Sequence, residues 1–159
     1  MRFATLGKGP EQVFIVVRND DGADIGAGVP LEWKADGTRD GIDVQAFQTA
    51  AKQSLFVGVN HYAFSDGEYG LAQVYGYDDD ALVLKHGIAT NSNVAIGDVA
   101  IPNTNGQFQF VVAGTQVTDN HATTVGVVCY DKMVAAMQTL ASASNATITG
   151  TCGVFLRCM

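Results

Sequence analysis

Charged side chains are scarce in this chain. Aspartate, glutamate, lysine and arginine make up 16% of its 159 residues, against about 25% in an average soluble domain. Hydrophobic residues reach 47%, and this balance excludes an intrinsically disordered chain, which combines high charge with few apolar residues. Neutral polar residues (Thr, Asn, Gln, Ser and Gly) must therefore form the part of the protein surface that is not buried against a partner.

Basic residues are the rarest of the charged ones. The nine lysines and arginines are scattered among sixteen acidic residues, which gives a net charge of −7. Surfaces that bind nucleic acid need clustered lysine and arginine to contact phosphates, and anionic membranes select for the same clusters. We therefore expect no nucleic-acid partner and no membrane partner.

Long hydrophobic runs are also missing. No segment reaches the roughly 18 apolar residues that span a bilayer, and residues 1–9 lack the hydrophobic region of a secretory signal. The three cysteines, Cys129, Cys152 and Cys158, form no CxxC pair, and an odd number without a signal is typical of reduced thiols in a cytoplasm. A bridge between Cys152 and Cys158 across a turn remains open, whereas no metal site is expected.

Proline is scarce, with 3 residues, whereas glycine is abundant, with 18. The glycines recur between short apolar runs, which is typical of many strands joined by turns. No fixed-period repeat indicates a solenoid or a propeller. The fold class predicted for residues 1–159 is a single mainly β domain, a small β-barrel or sandwich.

The strands are predicted from apolar, β-branched runs that end at turn residues. The first run is continuously apolar, which predicts a strand buried on both faces. Asp78, Asp79 and Asp80 are expected to break one strand and to precede another. The predicted strands are residues 13–17, 31–34, 54–60, 71–77, 81–85, 94–101 with a bend at Gly97 and Asp98, 108–112, 123–130 and 153–157, with a further segment at 147–148.

One short helix is predicted over residues 131–142. Asp131 can cap it, and apolar residues recur at helical spacing on one face, namely Met133, Val134, Met137 and Leu140. A second short helix is predicted over residues 44–52. The terminal segments are expected to be extended: residues 1–9 form an amino-terminal arm, and the last strand ties the carboxyl end into a sheet or a neighbouring subunit.

Catalytic motifs are absent from the sequence. It contains no Gly-x-Ser-x-Gly elbow and no Walker-type loop, and the glycine-rich residues 22–28 lack the spacing of a dinucleotide site. His61, His86 and His121 lie far apart, although a triad assembled in space remains open because such triads do not depend on sequence order. We expect no enzyme, no catalytic residues and no cofactor, and keep a hydrolase as a minor alternative.

Two local clusters leave alternatives open. Asp78, Asp79 and Asp80 offer carboxylates to a hard cation such as calcium, although three consecutive acids also form ordinary solvated turns. An aromatic cluster suits a protein interface, carbohydrate stacking or plain sheet packing. Strand alternation places Tyr75 and Tyr77 on one face together with Gln73. The aromatic residues of the cluster are Tyr62, Phe64, Tyr69, Tyr75 and Tyr77.

The central region has a recognisable pattern. Phe-Val-Gly-Val at residues 56–59 precedes Asp-Gly-Glu at 66–68 and a strand that ends at Tyr75-Gly76; Val-Ala-Ile-Gly-Asp at 94–98 and Val-Ala-Gly at 112–114 follow. Over residues 54–114 the chain resembles the small β-rich capsid decoration (cement) proteins of tailed bacteriophages. The resemblance implies a small barrel on the outer capsid surface, the major capsid protein as partner, and a homo-oligomer, often a trimer.

These observations together predict a virion structural protein that decorates or cements a phage capsid after synthesis in the host cytoplasm. The alternative is a carbohydrate- or surface-binding β domain of a phage fibre or other assembly. In the first case we expect residues 1–9 or residues 152–159 to contact another subunit, because strand addition from a terminal arm is one route to assembly.

Overall fold

The computed structural model describes residues 11–37, 41–48, 54–86, 99–103, 106–111, 128–130 and 147–158. Within these residues the chain is mainly β, as predicted. The predicted helix over residues 131–142 lies outside the described residues, as do residues 94–98 and 123–127. The strands of the described part are β1 (Val13–Asn19), β2 (Pro30–Trp33), β3 (Asp43–Ala46), β4 (Phe56–Asn60), β5 (Tyr69–His86), β6 (Val99–Asn103), β7 (Gln107–Val111), β8 (Val128–Tyr130) and β9 (Thr147–Arg157).

The first five strands form a closed barrel, which confirms the predicted barrel architecture. Their order is β1-β3-β2-β4-β5, and β5 pairs back to β1. The β1–β3 pair is parallel and the other pairs are antiparallel. The parallel seam is short, because it joins only Arg18 to Asp43 and Asn19 to Val44.

The remaining strands form a second ring of pairings that also includes β5. The order is β5-β7-β6-β8-β9, and β9 pairs back to β5. The amino-terminal part of β5 pairs with β1 and β4, whereas its later part pairs with β7 and with β9 over ten positions. One strand therefore runs through both rings and connects them.

The continuity of β5 corrects the sequence-based prediction. We expected two strands, residues 71–77 and 81–85, separated by the aspartates, but β5 is one strand of 18 residues. Asp78 pairs with Val154 and Ala81 with Cys152, so β5 carries one extra residue there, which is a β-bulge. At the bulge, the backbone N–H of Asp80 donates to Asp78 Oδ1 at 2.9 Å.

Gly76 lets β5 bend beside the start of β1. Its φ of 100° lies in the region that favours glycine. A Cβ atom at this position would overlap the carbonyl oxygen of Glu11, so the two backbones approach too closely for any side chain.

The core consists of two clusters that follow the two rings. Aromatic side chains connect elements of the two rings: Phe56 of β4 meets Phe47 at 6.4 Å and Phe108 of β7 at 5.7 Å between centroids, both edge to face. The first cluster contains Val13, Val17, Ile25, Leu31, Val44, Val57, Phe64, Ala72 and Val74. The second contains Val59, Ala81, Ala100, Phe108, Cys152, Val154 and Leu156.

Three further predictions are corrected in this part of the chain. Residues 44–46 lie in β3, so the helix predicted over residues 44–52 is wrong there. Val16 is 63% exposed, so β1 is not buried on both faces; the outer side of a one-layer barrel has no second layer to cover it. The segment at 147–148 and the last predicted strand are one strand, β9, paired within its own chain.

No helix among the described residues is long and apolar enough to cross a membrane.

Candidate interaction surface

Large apolar side chains are exposed on the outer side of β1 and β5. Val16 and Leu71, 63% and 40% exposed, lie directly opposite each other in the antiparallel ladder, and Tyr69, 64% exposed, lies opposite Arg18. Opposed residues in such a ladder have Cβ atoms about 5 Å apart, so their side chains touch. Val16, Tyr69 and Leu71 therefore form one continuous apolar strip.

A stack of rings extends this strip. Phe14, on the same side of β1 as Val16, meets His61 at 5.0 Å between centroids, and His61 meets Tyr62 at 4.3 Å. The backbone N–H of His61 donates to the carbonyl of Leu71 at 3.0 Å, which joins the stack to the strip. Tyr62 is 65% exposed. We call the exposed side chains of Val16, Tyr62, Tyr69 and Leu71, with the half-buried rings of Phe14 and His61, the β1–β5 face.

Buried amides hold the loops that carry part of this face. The β1–β2 and β4–β5 loops meet where Ile25 and Phe64 exchange two backbone hydrogen bonds of 3.1 Å. Asn19 Nδ2 donates to the carbonyl of Phe64 at 3.2 Å, and Asn60 Nδ2 donates to the carbonyl of Gly26 at 2.9 Å. Both asparagines are fully buried. Tyr62 thus projects from a loop that side-chain hydrogen bonds fix in place.

Ion pairs occupy the end of the barrel beside this face. Arg18 pairs with Asp43 at 3.1 Å and with Asp20 at 3.4 Å, and Lys34 pairs with Asp20 at 2.6 Å. Asp43 is almost fully buried and receives its charge compensation from Arg18. These two basic side chains are engaged within the chain and stabilise the short β1–β3 seam.

The aromatic cluster predicted from the sequence divides into two groups. Phe64 is buried, and Tyr75 is half-buried with its ring 5.4 Å from that of Phe155, edge to face. Tyr62 and Tyr69 are exposed on the β1–β5 face. The predicted shared face of Gln73, Tyr75 and Tyr77 is packed in the protein: Gln73 is fully buried, and both tyrosines are half-buried. Sheet packing therefore explains Phe64, Tyr75 and Tyr77, whereas Tyr62 and Tyr69 lie on the surface.

The three aspartates have different environments. Asp78 is 7% exposed, and this burial raises the pKa of its carboxyl, while the hydrogen bond from Asp80 N–H and the nearby His61 act in the opposite direction. Asp79 and Asp80 point to solvent. Within the described part of the chain, no three side chains of His, Cys, Asp or Glu converge in a way that could hold a metal ion.

The remaining candidate residues are dispersed. His61 belongs to the β1–β5 face, His86 ends β5, and His121 lies outside the described residues. Cys152 and Cys158 are both free thiols, so the bridge that the sequence left open is not formed. Burial raises the pKa of the Cys158 thiol to about 12, which keeps it protonated and unreactive at neutral pH.

A cavity of about 460 Å³ opens where the two rings meet. Residues from both rings line it, among them Asp21, Asp24, Gln48 and Leu82. Asp21 Oδ1 already accepts hydrogen bonds of 3.1 Å from the backbone N–H of Ala46 and from Gln48 Nε2. This carboxylate therefore fastens the β1–β2 loop to the end of β3.

Sequence reasoning missed the two aliphatic residues at the centre of the β1–β5 face. Strand alternation in residues 71–77 places Leu71 on the same side as Gln73 and opposite the buried Ala72 and Val74, which was a usable signal. No such signal exists for Val16, because it lies within an unbroken apolar run. Its exposure depends on which strands cover β1.

No known protein family has a sequence profile that matches this chain, and no curated protein matches it significantly.

Proposed function

We propose that this chain is a virion structural protein that decorates or cements the outer surface of a tailed-phage capsid, with the β1–β5 face bound to the major capsid protein. The observation that carries the proposal is the continuity of this apolar and aromatic face. Contiguous apolar patches on the surface of a protein mark interaction sites far more often than isolated exposed residues do.

The composition of the face supports a protein partner. Interface cores are depleted of charge and enriched in aromatic residues. The face combines two tyrosines with Val16 and Leu71, and the adjacent Arg18 is held by two aspartates. A tyrosine in a rigid setting contributes a large contact area at little cost in conformational entropy. The homo-oligomer, a trimer by the resemblance to decoration proteins, belongs to the same proposal.

Co-sedimentation with empty capsids tests this proposal, using capsids assembled from the major capsid protein of the same genome. Val16→Lys combined with Leu71→Glu replaces the apolar strip by opposite charges that face each other, which preserves the ladder. Thr151→Asp is the matched control, because Thr151 is an exposed strand residue of the second ring. The thermal melting temperature of each variant is first compared with that of the wild type, to confirm that the variant is folded.

We expect the wild type and Thr151→Asp to co-sediment equally. The double variant should bind at least about tenfold more weakly, because removing central interface residues costs 2 kcal/mol or more. A wild type that does not bind the capsids, or a double variant that binds like the wild type, contradicts the proposal.

A carbohydrate-binding role is the second candidate, and the two exposed tyrosines, Tyr62 and Tyr69, favour it. A glycan array tests it directly with the wild type, Tyr62→Ala and Tyr69→Ala, and with Tyr69→Phe as the control that keeps the ring. Binding that requires both rings supports this role. An array on which the wild type binds no glycan rejects it.

A further inference from the structure

On the side that faces β3, the amino-terminal half of β1 has no backbone partner among the described residues. The backbone N–H of Asn19 donates toward β5, to Glu68 at 2.9 Å, whereas that of Arg18 donates toward β3, to Ile42 at 3.0 Å. Because backbone groups alternate along a strand, those of Phe14 and Val16 point to the same side as those of Arg18. The β3 ladder begins only at Arg18. Among the described residues, none forms a backbone hydrogen bond with Phe14 or Val16 on that side.

This edge lacks two of the features that usually protect exposed strands. Natural edges carry charged residues, prolines or bulges that discourage pairing with another chain. Residues 12–17 contain no charge and no proline, and Val16 is among the most exposed large apolar residues of the described part. The open N–H and C=O groups suit an extended strand, which would gain main-chain hydrogen bonds and an apolar neighbour.

We propose that the segment 1–10 of a second copy of this chain adds to the β1 edge as an extra strand. This segment directly precedes the described residues, and ten extended residues reach about 33 Å. It carries Arg2 and Lys8 and no acid, whereas the rest of the chain holds the other seven basic residues and all sixteen acids. A segment of charge +2 thus meets a body of charge −9.

Residues 11 and 12, which lead into β1, are held alongside β5. The backbone of Glu11 and Gln12 lies against Gly76, and Gln12 Nε2 donates to the carbonyl of Tyr77 at 2.7 Å. Residues 11 and 12 therefore extend β1 in the same direction alongside β5, beyond the Val13–Tyr75 pair. This direction leads away from Val16. A hairpin onto the chain's own edge would need a turn upstream of residue 11, and the concentration dependence of amide exchange distinguishes that arrangement from exchange between copies.

Each copy gives a segment and receives one, either reciprocally within a pair or head to tail around a ring. Head-to-tail contacts close into rings when the rotation between copies permits, and a three-membered ring is one such closure. The inference goes beyond the proposed function, because it names the contact between copies and needs no capsid.

Amide hydrogen exchange combined with light scattering tests the inference on the purified full chain. We expect association that increases with concentration and slow exchange of the Phe14 and Val16 amides in the associated state. Deletion of residues 1–10 should give monomers and speed exchange of both amides at least tenfold. Val16→Pro should also give monomers, because it removes the outward N–H without breaking the β1–β5 ladder, and Val16→Thr is the control that retains it.

Each possible outcome of these measurements either supports or overturns the inference. Slow exchange that disappears with the deletion and depends on concentration supports it. A monomeric full chain, exchange protection independent of concentration (the mark of a hairpin within one chain), or association that survives both the deletion and Val16→Pro overturns it. A monomeric chain that still co-sediments with capsids refutes this inference and the homo-oligomer, and leaves the proposed binding to the capsid standing.

Discussion

Burial decides the chemistry of individual residues, as Asp78 and Cys158 illustrate. Asp78 is one of the few acids that the fold withdraws from water, because the bulge turns its side chain inward while Asp79 and Asp80 point outward. Cys158 packs between the two core clusters and has a thiol pKa of about 12. Burial shifts each group toward its neutral form: at Asp78 it outweighs the hydrogen bond from Asp80 N–H and the charge of His61, and at Cys158 it outweighs a backbone hydrogen bond.

The substitution Asp78→Asn should stabilise the protein at pH 7. The folded-state pKa of Asp78 is raised above its ordinary 3.8, so the carboxyl favours folding below about pH 3.8, and this advantage is lost as the pH rises through the folded-state value. An asparagine keeps the Oδ1 acceptor for Asp80 N–H and carries no charge. Calorimetry should show a higher midpoint for the variant at pH 7 and little difference near pH 3.

Asp79→Asn, at the exposed neighbouring position, is the control for this experiment. It should not reproduce the difference between the two pH values. An Asp78→Asn variant that is equally or less stable than the wild type at pH 7 would contradict the assigned effect of burial.

At the scale of elements, β5 is the strand that connects the two rings. This strand belongs to both rings, and it bends at Gly76 and bulges at Asp78–Ala81 as it passes from one set of partners to the other. The bend is possible because Gly76 has no side chain to meet Glu11. The backbone geometry at Gly76 and at residues 78–81 therefore allows one strand to pair with partners in both rings.

Gly76→Ala should strongly destabilise the protein, and Gly67→Ala provides a matched comparison. Both glycines have positive φ, 100° and 79°, but a Cβ at Gly67 meets nothing within 4 Å, whereas one at Gly76 overlaps Glu11. We expect a cost of about 1–2 kcal/mol for Gly67→Ala from backbone strain alone and about 3 kcal/mol or more for Gly76→Ala. Urea unfolding measures both, and equal costs would contradict the proposed close approach.

At the scale of the whole molecule, the two rings are joined by more than β5. The backbone N–H of Gly106, just before β7, donates to the carbonyl of Phe47 at 3.0 Å and joins the rings without β5, whereas that of Leu82, in β5 itself, donates to the carbonyl of Gly28 at 2.8 Å. The rings of Phe47, Phe56 and Phe108 form a continuous aromatic contact across the junction. The shared strand β5 and the aromatic contacts across the junction favour cooperative unfolding of both rings.

Leu156→Ala tests this cooperativity through Trp33, the single tryptophan of the chain. Leu156 is fully buried in the cluster of the second ring, whereas Trp33 packs against that of the first. Truncation should cost about 2–5 kcal/mol and lower the denaturation midpoints reported by Trp33 fluorescence and by circular dichroism together. A Trp33 midpoint that stays at the wild-type value while the dichroism midpoint falls would indicate independent unfolding.

The part of the fold that depends on local chemistry was predictable. The apolar runs at residues 31–34, 54–60 and 108–112 correspond to β2, β4 and β7 within one or two residues, because β-branched and aromatic residues bounded by turn residues favour strands in most surroundings. Of the candidate surface, the sequence indicated the exposed Tyr62 and Tyr69, but as members of a larger aromatic cluster in which buried and exposed rings were not distinguished.

The amino-acid sequence by itself determined the β class, the low charge and the positions of most strands, all of which follow from local preference and composition. Only the tertiary structure decided that the aspartates stay within β5, since that depends on β9, about seventy residues away, which pairs on both sides of the bulge. It also decided that Val16 faces solvent and that, among the described residues, Phe14 and Val16 have no backbone partner on the β3 side. Exposure is a property of which strands lie alongside, and the chain closes its barrel beside β1 only from Arg18 onward.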